Sequence, residues 1–198
     1  DKSLVNKLFN YTLERHFPNL LESKSKALDF LYAIIEQQAD LVTNWMRIGF
    51  IHGVMNTDNV ALSGETIDYG PCAFMDHYDP LTVFSSIDHQ GRYSFANQPI
   101  ITQWNLARLA ETILPLISDK HEDALKLAEE AINAYADLYQ SKWLDMMRLK
   151  IGLLTKENED KDLISELLDV MQKYKADFTN TFRSCLLYTS PSPRDRYG

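Results

Sequence analysis

Apolar residues recur at helical spacing through most of this chain, and that pattern constrains the fold more than any other feature. The longest run extends from residue 23 to about residue 48 and ends where Gly49 and Gly53 interrupt it. Shorter helical patterns cover about residues 4–17, 100–114, 122–148 and 163–174. Pro18 interrupts the first of these, and Pro115 follows the second. The sequence therefore predicts a mainly α-helical protein.

One short segment has the pattern of β structure. Residues 60–62 and 66–67 are apolar or β-branched and flank Ser63-Gly64-Glu65, which predicts a hairpin with a glycine turn. Residues 71–99 show no sustained period and are rich in Asp, His, Ser, Tyr and Phe. Because loops of this length are usually functional or disordered, we expect this loop to have a role of its own.

The composition excludes several classes of protein. The 198 residues are 45% hydrophobic and 24% charged, which is typical of a globular domain. A net charge of −8 disfavours a nucleic-acid partner, because a protein that binds nucleic acid needs a basic face. Two cysteines, Cys72 and Cys185, are too few for a disulfide framework. No apolar run approaches the roughly 18 residues of a membrane span, so we expect no membrane partner.

The two ends of the sequence differ from the rest. Asp1 already lies within a helical pattern, which indicates a piece of a longer protein. Residues 185–198 lose all periodicity and contain two Ser-Pro steps, so we predict a disordered tail or a non-native scar there. The expected folded domain therefore comprises residues 1–184.

The residues with the clearest chemistry lie on either side of the predicted hairpin. Asn59 precedes it, within Ile51-His52-Gly53-Val54-Met55-Asn56-Thr57-Asp58-Asn59, and Asp68 follows it within Asp68-Tyr69-Gly70-Pro71. Amide and carboxylate oxygens suit Mg²⁺, and we expect Gly70 to adopt a positive φ that turns the Asp68 carboxylate inward. Protein kinases hold Mg²⁺ against ATP with such a pair. Val54, however, stands where kinases carry their catalytic aspartate.

Longer strings of residues extend the resemblance from protein kinases in general to one particular family. Residues 52–59 and 66–71 are similar to the selenoprotein O family, as are several later strings. These are Asp88-His89-Gln90-Gly91-Arg92-Tyr93-Ser94-Phe95, Asn97-Gln98-Pro99, Trp104-Asn105-Leu106, Arg108-Leu109-Ala110 and Ala176-Asp177-Phe178-Thr179-Asn180-Thr181-Phe182-Arg183. The resemblance covers about residues 1–184.

The resemblance implies the C-terminal lobe of a protein-kinase-like fold and a protein adenylyltransferase. Such an enzyme transfers AMP from ATP, bound in a flipped orientation, to Ser, Thr or Tyr hydroxyls of proteins. Matching positions make Asp58 the proton acceptor, and Asn59 and Asp68 ligands of Mg²⁺, with Mn²⁺ as the alternative ion. Asp68 also lies near the ATP. A flipped nucleotide explains Val54, because the attacked phosphorus moves away from that position.

The resemblance also implies parts that residues 1–198 do not contain. In the family, a glycine-rich loop and a Lys–Glu pair that grip ATP precede this region, and a redox cysteine motif follows it. We therefore expect the chain alone to be inactive and its parent to be active. Family members occur in the bacterial cytoplasm and in mitochondria, so the expected compartment depends on the source.

Several single residues have a simpler interpretation. Asp68 and Gly70 favour turns in any protein. His52 is expected to bond backbone near the loop rather than to bind a metal. Arg92 is expected to pair with an aspartate, with phosphate binding as the alternative, and Cys72 to be a small buried residue. Trp104, at helical spacing, is predicted to lie in the core.

Two alternatives concern the long loop. A second metal site is conceivable because the loop concentrates carboxylates and imidazoles, although protein contact or loop hydrogen bonding is favoured. The residues in question are Asp76, His77, Asp79, Asp88 and His89. The rival function is a non-catalytic pseudokinase that docks a partner protein through residues 71–99. Val54 supports this rival, and retention of both metal ligands opposes it.

Overall fold

The computed structural model describes residues 2–189, with side chains to residue 184, and confirms a mainly helical fold. The helices are α1 (Lys2–His16), α2 (Lys26–Ile48), α3 (Gln98–Ile117), α4 (His121–Ile151), α5 (Asp160–Lys173) and α6 (Phe178–Thr189). Three 3₁₀ turns lie at Pro18–Leu20, Thr57–Asn59 and Phe95–Asn97. Among the residues described, no helix combines the length and apolar character that crossing a bilayer requires.

A two-stranded antiparallel sheet is present, but not where the hairpin was predicted. Strands β1 (Phe50–Ile51) and β2 (Ala73–Phe74) pair Phe50 with Phe74 and Ile51 with Ala73. In the predicted hairpin, residues 60–67 form only one antiparallel bridge, between Val60 and Thr66. The turn is closed by a 3.1 Å hydrogen bond from the Gly64 N–H to the Ala61 carbonyl. Apolar patterning located the turn but did not predict the pairing of distant residues.

The chain forms two compact units, whose boundaries fall within α2 and α4 as well as in the loops. The first unit comprises residues 55–69, 99–139 and the described residues up to 42. Its core is built from one face each of α1, α2, α3 and the first half of α4. At its centre, Phe30 makes edge-to-face contacts with Phe9 and Phe17, each with ring centroids 5.3 Å apart. Such pairs add directional packing to apolar burial.

The second unit comprises residues 43–54, 70–98 and the described residues from 140 onward. Its aromatic core centres on Phe178, the first residue of α6, whose ring contacts Phe95 and Phe182. Gly49 ends α2 with φ +71°, and a Cβ added there would stand 2.8 Å from the Phe178 ring. Glycine is therefore required at position 49 by both backbone conformation and close packing.

Two features of the helices differ from the sequence-based expectation. Helix α3 continues through Pro115 to Ile117, and the proline removes one internal hydrogen bond from its last turn. A second difference is a whole helix: the sequence did not predict α6. Asp177 marks its start, because the Asp177 carboxylate accepts a 2.7 Å hydrogen bond from the Asn180 N–H, as a helix N-cap does.

Helix α6 also bears on the predicted tail of residues 185–198. Its backbone continues to Thr189, five residues into that segment, so the first part of the segment is helical. Residues 190–198 lie outside the described part of the chain, and disorder there stays a prediction.

Candidate active site

The segment that carries Asp58 and Asn59 is a single 3₁₀ turn in the first unit. Its geometry is set by a 3.0 Å hydrogen bond from the Asn59 N–H to the Asn56 carbonyl. The Asp58 side chain is exposed and Asn59 is half-buried. The chain then enters the Val60–Thr66 bridge, so the turn ends where the hairpin begins.

Asp68 itself has the left-handed backbone conformation, with φ 53°. The expectation for Gly70 was wrong, since its φ is not positive and nothing lies within 4 Å of an added Cβ. Asp is among the few non-glycine residues that enter the left-handed region readily. The turn that orients the Asp68 carboxylate is therefore made by Asp68 itself, and its side chain is exposed.

The bridged hairpin brings the two predicted metal ligands to the same end of one small element. Asn59 directly precedes Val60, and Asp68 follows Thr66 by two residues, so both lie at the open end opposite the Gly64 turn. An amide oxygen and an accessible carboxylate are hard donors, and Mg²⁺ commonly takes only one or two protein ligands. The donor chemistry and position of Asn59 and Asp68 therefore fit a divalent cation of this kind.

Two buried amides fix the backbone on either side of this turn. Gln38, on α2 and 2% exposed, donates from Nε2 to the Ala61 carbonyl at 2.8 Å. Asn105, on α3 and 5% exposed, donates from Nδ2 to the Met55 carbonyl at 2.9 Å. We expect these bonds to hold the Asp58 turn against the helices that support it. Sequence reasoning missed these roles, although a lone amide on an apolar helix face was an available signal.

In the second unit, a third amide organises the start of the same motif. Gln98 is completely buried; its Oε1 accepts from the His52 N–H at 3.0 Å and its Nε2 donates to the Phe50 carbonyl at 2.9 Å. His52 is also fully buried, and its Nδ1 accepts a long 3.4 Å hydrogen bond from the Val54 N–H. The predicted backbone-bonding role of His52 is therefore confirmed.

The two motif strings approach each other at Gly53 and Pro71. Gly53 has φ +86°, and an added Cβ would stand 3.0 Å from Pro71 Cγ and 3.1 Å from the Pro71 carbonyl oxygen. Only glycine combines that conformation with so close a contact. The β1–β2 pairing continues this approach along the chain. The structure thus joins two strings that are well separated in sequence.

The long loop is ordered by its own hydrogen bonds. The Asp88 carboxylate accepts from the N–H groups of Arg92 and Tyr93 at 2.9 and 2.8 Å, and Asp79 Oδ1 accepts from the Leu81 N–H at 3.0 Å. Within residues 2–184, no group of three or more His, Cys, Asp or Glu side chains is arranged to hold a metal ion. The second-metal alternative is therefore not supported, and loop hydrogen bonding is confirmed for Asp79 and Asp88.

Tyr78, in the same loop, packs against the aromatic core of the second unit. Burial raises the pKa of its hydroxyl to about 12, and the negative charges of Asp169 and Asp79 act in the same direction. Its ring stacks on Phe178 with centroids 6.1 Å apart. Tyr78 is therefore a packing residue of the second unit.

Three further sequence-based expectations have different outcomes. The Arg92 guanidinium lies 5.7 Å from the centre of the Tyr93 ring, a contact that decides between neither of its predicted roles. Cys72 is half-buried rather than fully buried. Trp104 is 41% exposed, so its placement in the core was wrong, and Arg108 lies over its ring at 5.3 Å.

The fold and the site define a helical domain with a short bridged hairpin, which places an amide and a carboxylate side chain at one end. The sequence profile of the family described as "Protein adenylyltransferase SelO" matches residues 1–197. The chain belongs to this family.

Several bacterial relatives are similar over nearly the whole chain. A protein of Pelagibacter ubique named "Protein nucleotidyltransferase YdiU" is 61% identical over 88% of this chain. Proteins of the same name from Halalkalibacterium halodurans and Nitrosococcus oceani are 57% and 55% identical over 89% and 94% of it. The aligned part is 36–38% of the length of these three relatives. The chain thus spans little more than a third of each relative.

Proposed function

We propose that this chain supplies the metal and proton-acceptor part of a protein adenylyltransferase, which transfers AMP from ATP to Ser, Thr or Tyr hydroxyls of proteins. The observation that carries the proposal is the position of Asn59 and Asp68 at one end of the bridged hairpin, with Asp58 next to Asn59 in the 3₁₀ turn. Family membership and the printed names of the relatives support the same reaction class.

We also propose that the chain corresponds to the C-terminal lobe of a protein-kinase-like fold. Support comes from the order of elements: a long helix, a turn ending in Asn59, a bridged hairpin, and then Asp68. This is the order in which kinases present their catalytic loop and their second metal ligand.

Asn59 and Asp68 would hold the divalent ion, Mg²⁺ or Mn²⁺, and Asp68 would also lie near the ATP. When bound, the ion neutralises phosphate charge and favours departure of pyrophosphate. Asp58 has an exposed carboxylate, and it would accept the proton of the acceptor hydroxyl as that oxygen attacks the α-phosphorus. The new bond joins the hydroxyl oxygen to the α-phosphorus, and the bond that breaks releases pyrophosphate.

Val54 is consistent with this assignment. It is half-buried, and its N–H is engaged with His52 Nδ1, so it has a structural place in the loop. Attack at the α-phosphorus needs no carboxylate at position 54 if Asp58 serves the acceptor hydroxyl. Because such transfers depend mostly on positioning and charge neutralisation, removal of Asp58 should slow the reaction less than removal of Asp68.

The proposal is tested with the longest natural form of the protein, incubated with Mg²⁺ and ATP labelled on either the α- or the γ-phosphate. Protein labelled only from the α-phosphate, and not in an Asp68→Ala variant, supports adenylyl transfer. Label only from the γ-phosphate would make the protein a kinase and overturn the proposal. The same assay with Mn²⁺ identifies the preferred ion.

One observation favours the second candidate, a non-catalytic docking module. The ordered loop of residues 71–99 exposes large apolar side chains, with Leu81 71% and Ile87 79% accessible. Rigid loops that expose apolar groups are typical of protein-binding surfaces. Absence of label from either phosphate, with ATP binding intact, would favour this function.

A further inference from the structure

A cavity of about 330 Å³ lies behind the Asp58 turn, entirely within the first unit. Three elements form its walls: α2, the segment of residues 57–62, and α3. The cavity opens to the surface, and small-ligand sites begin at about this volume.

The lining of the cavity changes from its floor to its mouth. Ile34 and Leu106 are almost fully buried and give an apolar floor. Arg108 and Thr112 are exposed and lie one helical turn apart on α3, so they mark the mouth. An apolar interior with a cation at its entrance suits a molecule with an apolar body and an anionic end.

One polar feature of the lining narrows the class of ligand. At the mouth, Arg108 pairs with Glu111 at 2.7 Å, with both side chains about half-exposed. Such surface pairs are weak, and guanidinium has further donors for a ligand carboxylate.

We propose that this cavity binds a small aromatic or aliphatic carboxylate. The carboxylate lies at Arg108, and the apolar body fills the space between Ile34 and Leu106. The assigned site is separate from the ligands Asn59 and Asp68, and its occupancy does not depend on the proposed transferase reaction.

The position of the cavity gives the ligand a route to the active segment. Thr57 and Val60 line the cavity, and they directly flank Asp58 and Asn59 in sequence. Gln38 and Asn105, which fix both ends of this segment, line the cavity as well. A bound ligand therefore rigidifies the Asp58 turn, and backbone amide exchange in residues 55–62 slows when the site is filled.

The binding test uses 4-hydroxybenzoate as the probe and calorimetric titration as the measurement, on the longest natural form of the protein. Its neutral analogue, 4-hydroxybenzyl alcohol, lacks the carboxylate. We expect saturable one-to-one binding of the acid at roughly millimolar affinity or tighter, and binding of the alcohol about tenfold weaker or worse. Absence of saturable binding of the acid, or equal affinity for both compounds, overturns the proposal.

Variants locate the site independently of catalysis. Arg108→Gln should weaken binding of the acid about tenfold, and Thr112→Trp should block the mouth without disturbing the core. Arg15→Gln, an exposed arginine on α1, is the matched control and should leave the affinity unchanged. Leu109→Phe fills the cavity from its wall and provides a second test if Thr112→Trp fails to fold. Unchanged affinity in Arg108→Gln and in both blocking variants would show that the acid binds elsewhere.

Discussion

The Asn105 side-chain amide donates a 2.9 Å hydrogen bond to the Met55 carbonyl, three residues before Asp58. This bond joins the buried face of α3 to the segment that carries the proposed proton acceptor. Gln38 makes the equivalent bond from α2 to Ala61, just after that segment. Two neutral amides therefore position the backbone on either side of Asp58.

Asn105→Leu should reduce both stability and transferase activity. The change leaves the Met55 carbonyl without its donor, which costs about 1–3 kcal/mol of unfolding free energy. Small displacements of catalytic groups are expensive, so we expect activity to fall by roughly ten- to a hundredfold. Denaturant unfolding and the α-label assay measure the two effects.

A matched control is available on the same helix. Gln103 donates from Nε2 to the Ile132 carbonyl at 3.0 Å. This described hydrogen bond does not involve residues 55–61. Gln103→Leu should lose comparable stability and keep its activity. Equal loss of activity in both variants would show that Asn105 acts through stability alone.

Substitutions at Asp68 separate its charge from its backbone conformation. Asn tolerates the left-handed φ of 53°, whereas Ala is strained there by about 1–2 kcal/mol. Asp68→Asn should therefore fold as well as the parent and lose activity, because it removes the charge of the proposed metal ligand. Asp68→Ala should lose stability in addition. Wild-type activity in Asp68→Asn, measured at saturating metal, would contradict the ligand role.

Substitution by alanine should lower the stability of the protein at Gly64 but not at Gly70. Gly64 has φ +73°, and an added Cβ would stand 3.1 Å from the Gln37 Cβ, so Gly64→Ala should destabilise by about 1 kcal/mol or more. Gly70 has open space around it, and Gly70→Ala should change stability by less than about 0.5 kcal/mol. Urea unfolding of the two variants decides the point, and a larger loss for Gly70→Ala would refute the turn geometry described for Asp68.

The ion pair between Arg148 on α4 and Asp160 on α5 should make the free energy of unfolding depend on pH in the acid range. Asp160 is buried; the Glu157 N–H and then the Arg148 guanidinium lower the pKa of its carboxyl below the ordinary 3.8. Because the folded pKa is the lower one, the pair stabilises the fold above about pH 4. That contribution is lost as the pH falls through the folded pKa.

Asp160→Asn is the variant that tests this dependence. The difference in unfolding free energy between the parent and Asp160→Asn should be largest at pH 7 and shrink below about pH 4. Asp162→Asn, an exposed carboxylate on the same helix, should show little difference at either pH. A difference for Asp160→Asn that stays constant from pH 7 to pH 3 would contradict the account.

The sequence predicted what local periodicity encodes and missed what depends on distant contacts. The helix over residues 23–48 was found because its apolar spacing is continuous, whereas β1 and β2 are two residues each and pair across a long loop. Gly70 was favoured over Asp68 for the turn because glycine is the usual left-handed residue. Only the folded chain shows that Asp68 adopts that conformation and that Gln38 and Asn105 support the loop.

The most direct test of the central claim is the mass of an acceptor protein after incubation with ATP, the divalent ion and the longest natural form of this protein. Addition of one AMP to a Ser, Thr or Tyr residue, absent with Asp68→Asn and retained with Gly70→Ala, is the predicted result. Addition of a phosphate, or an AMP adduct that persists unchanged in Asp68→Asn, would contradict it.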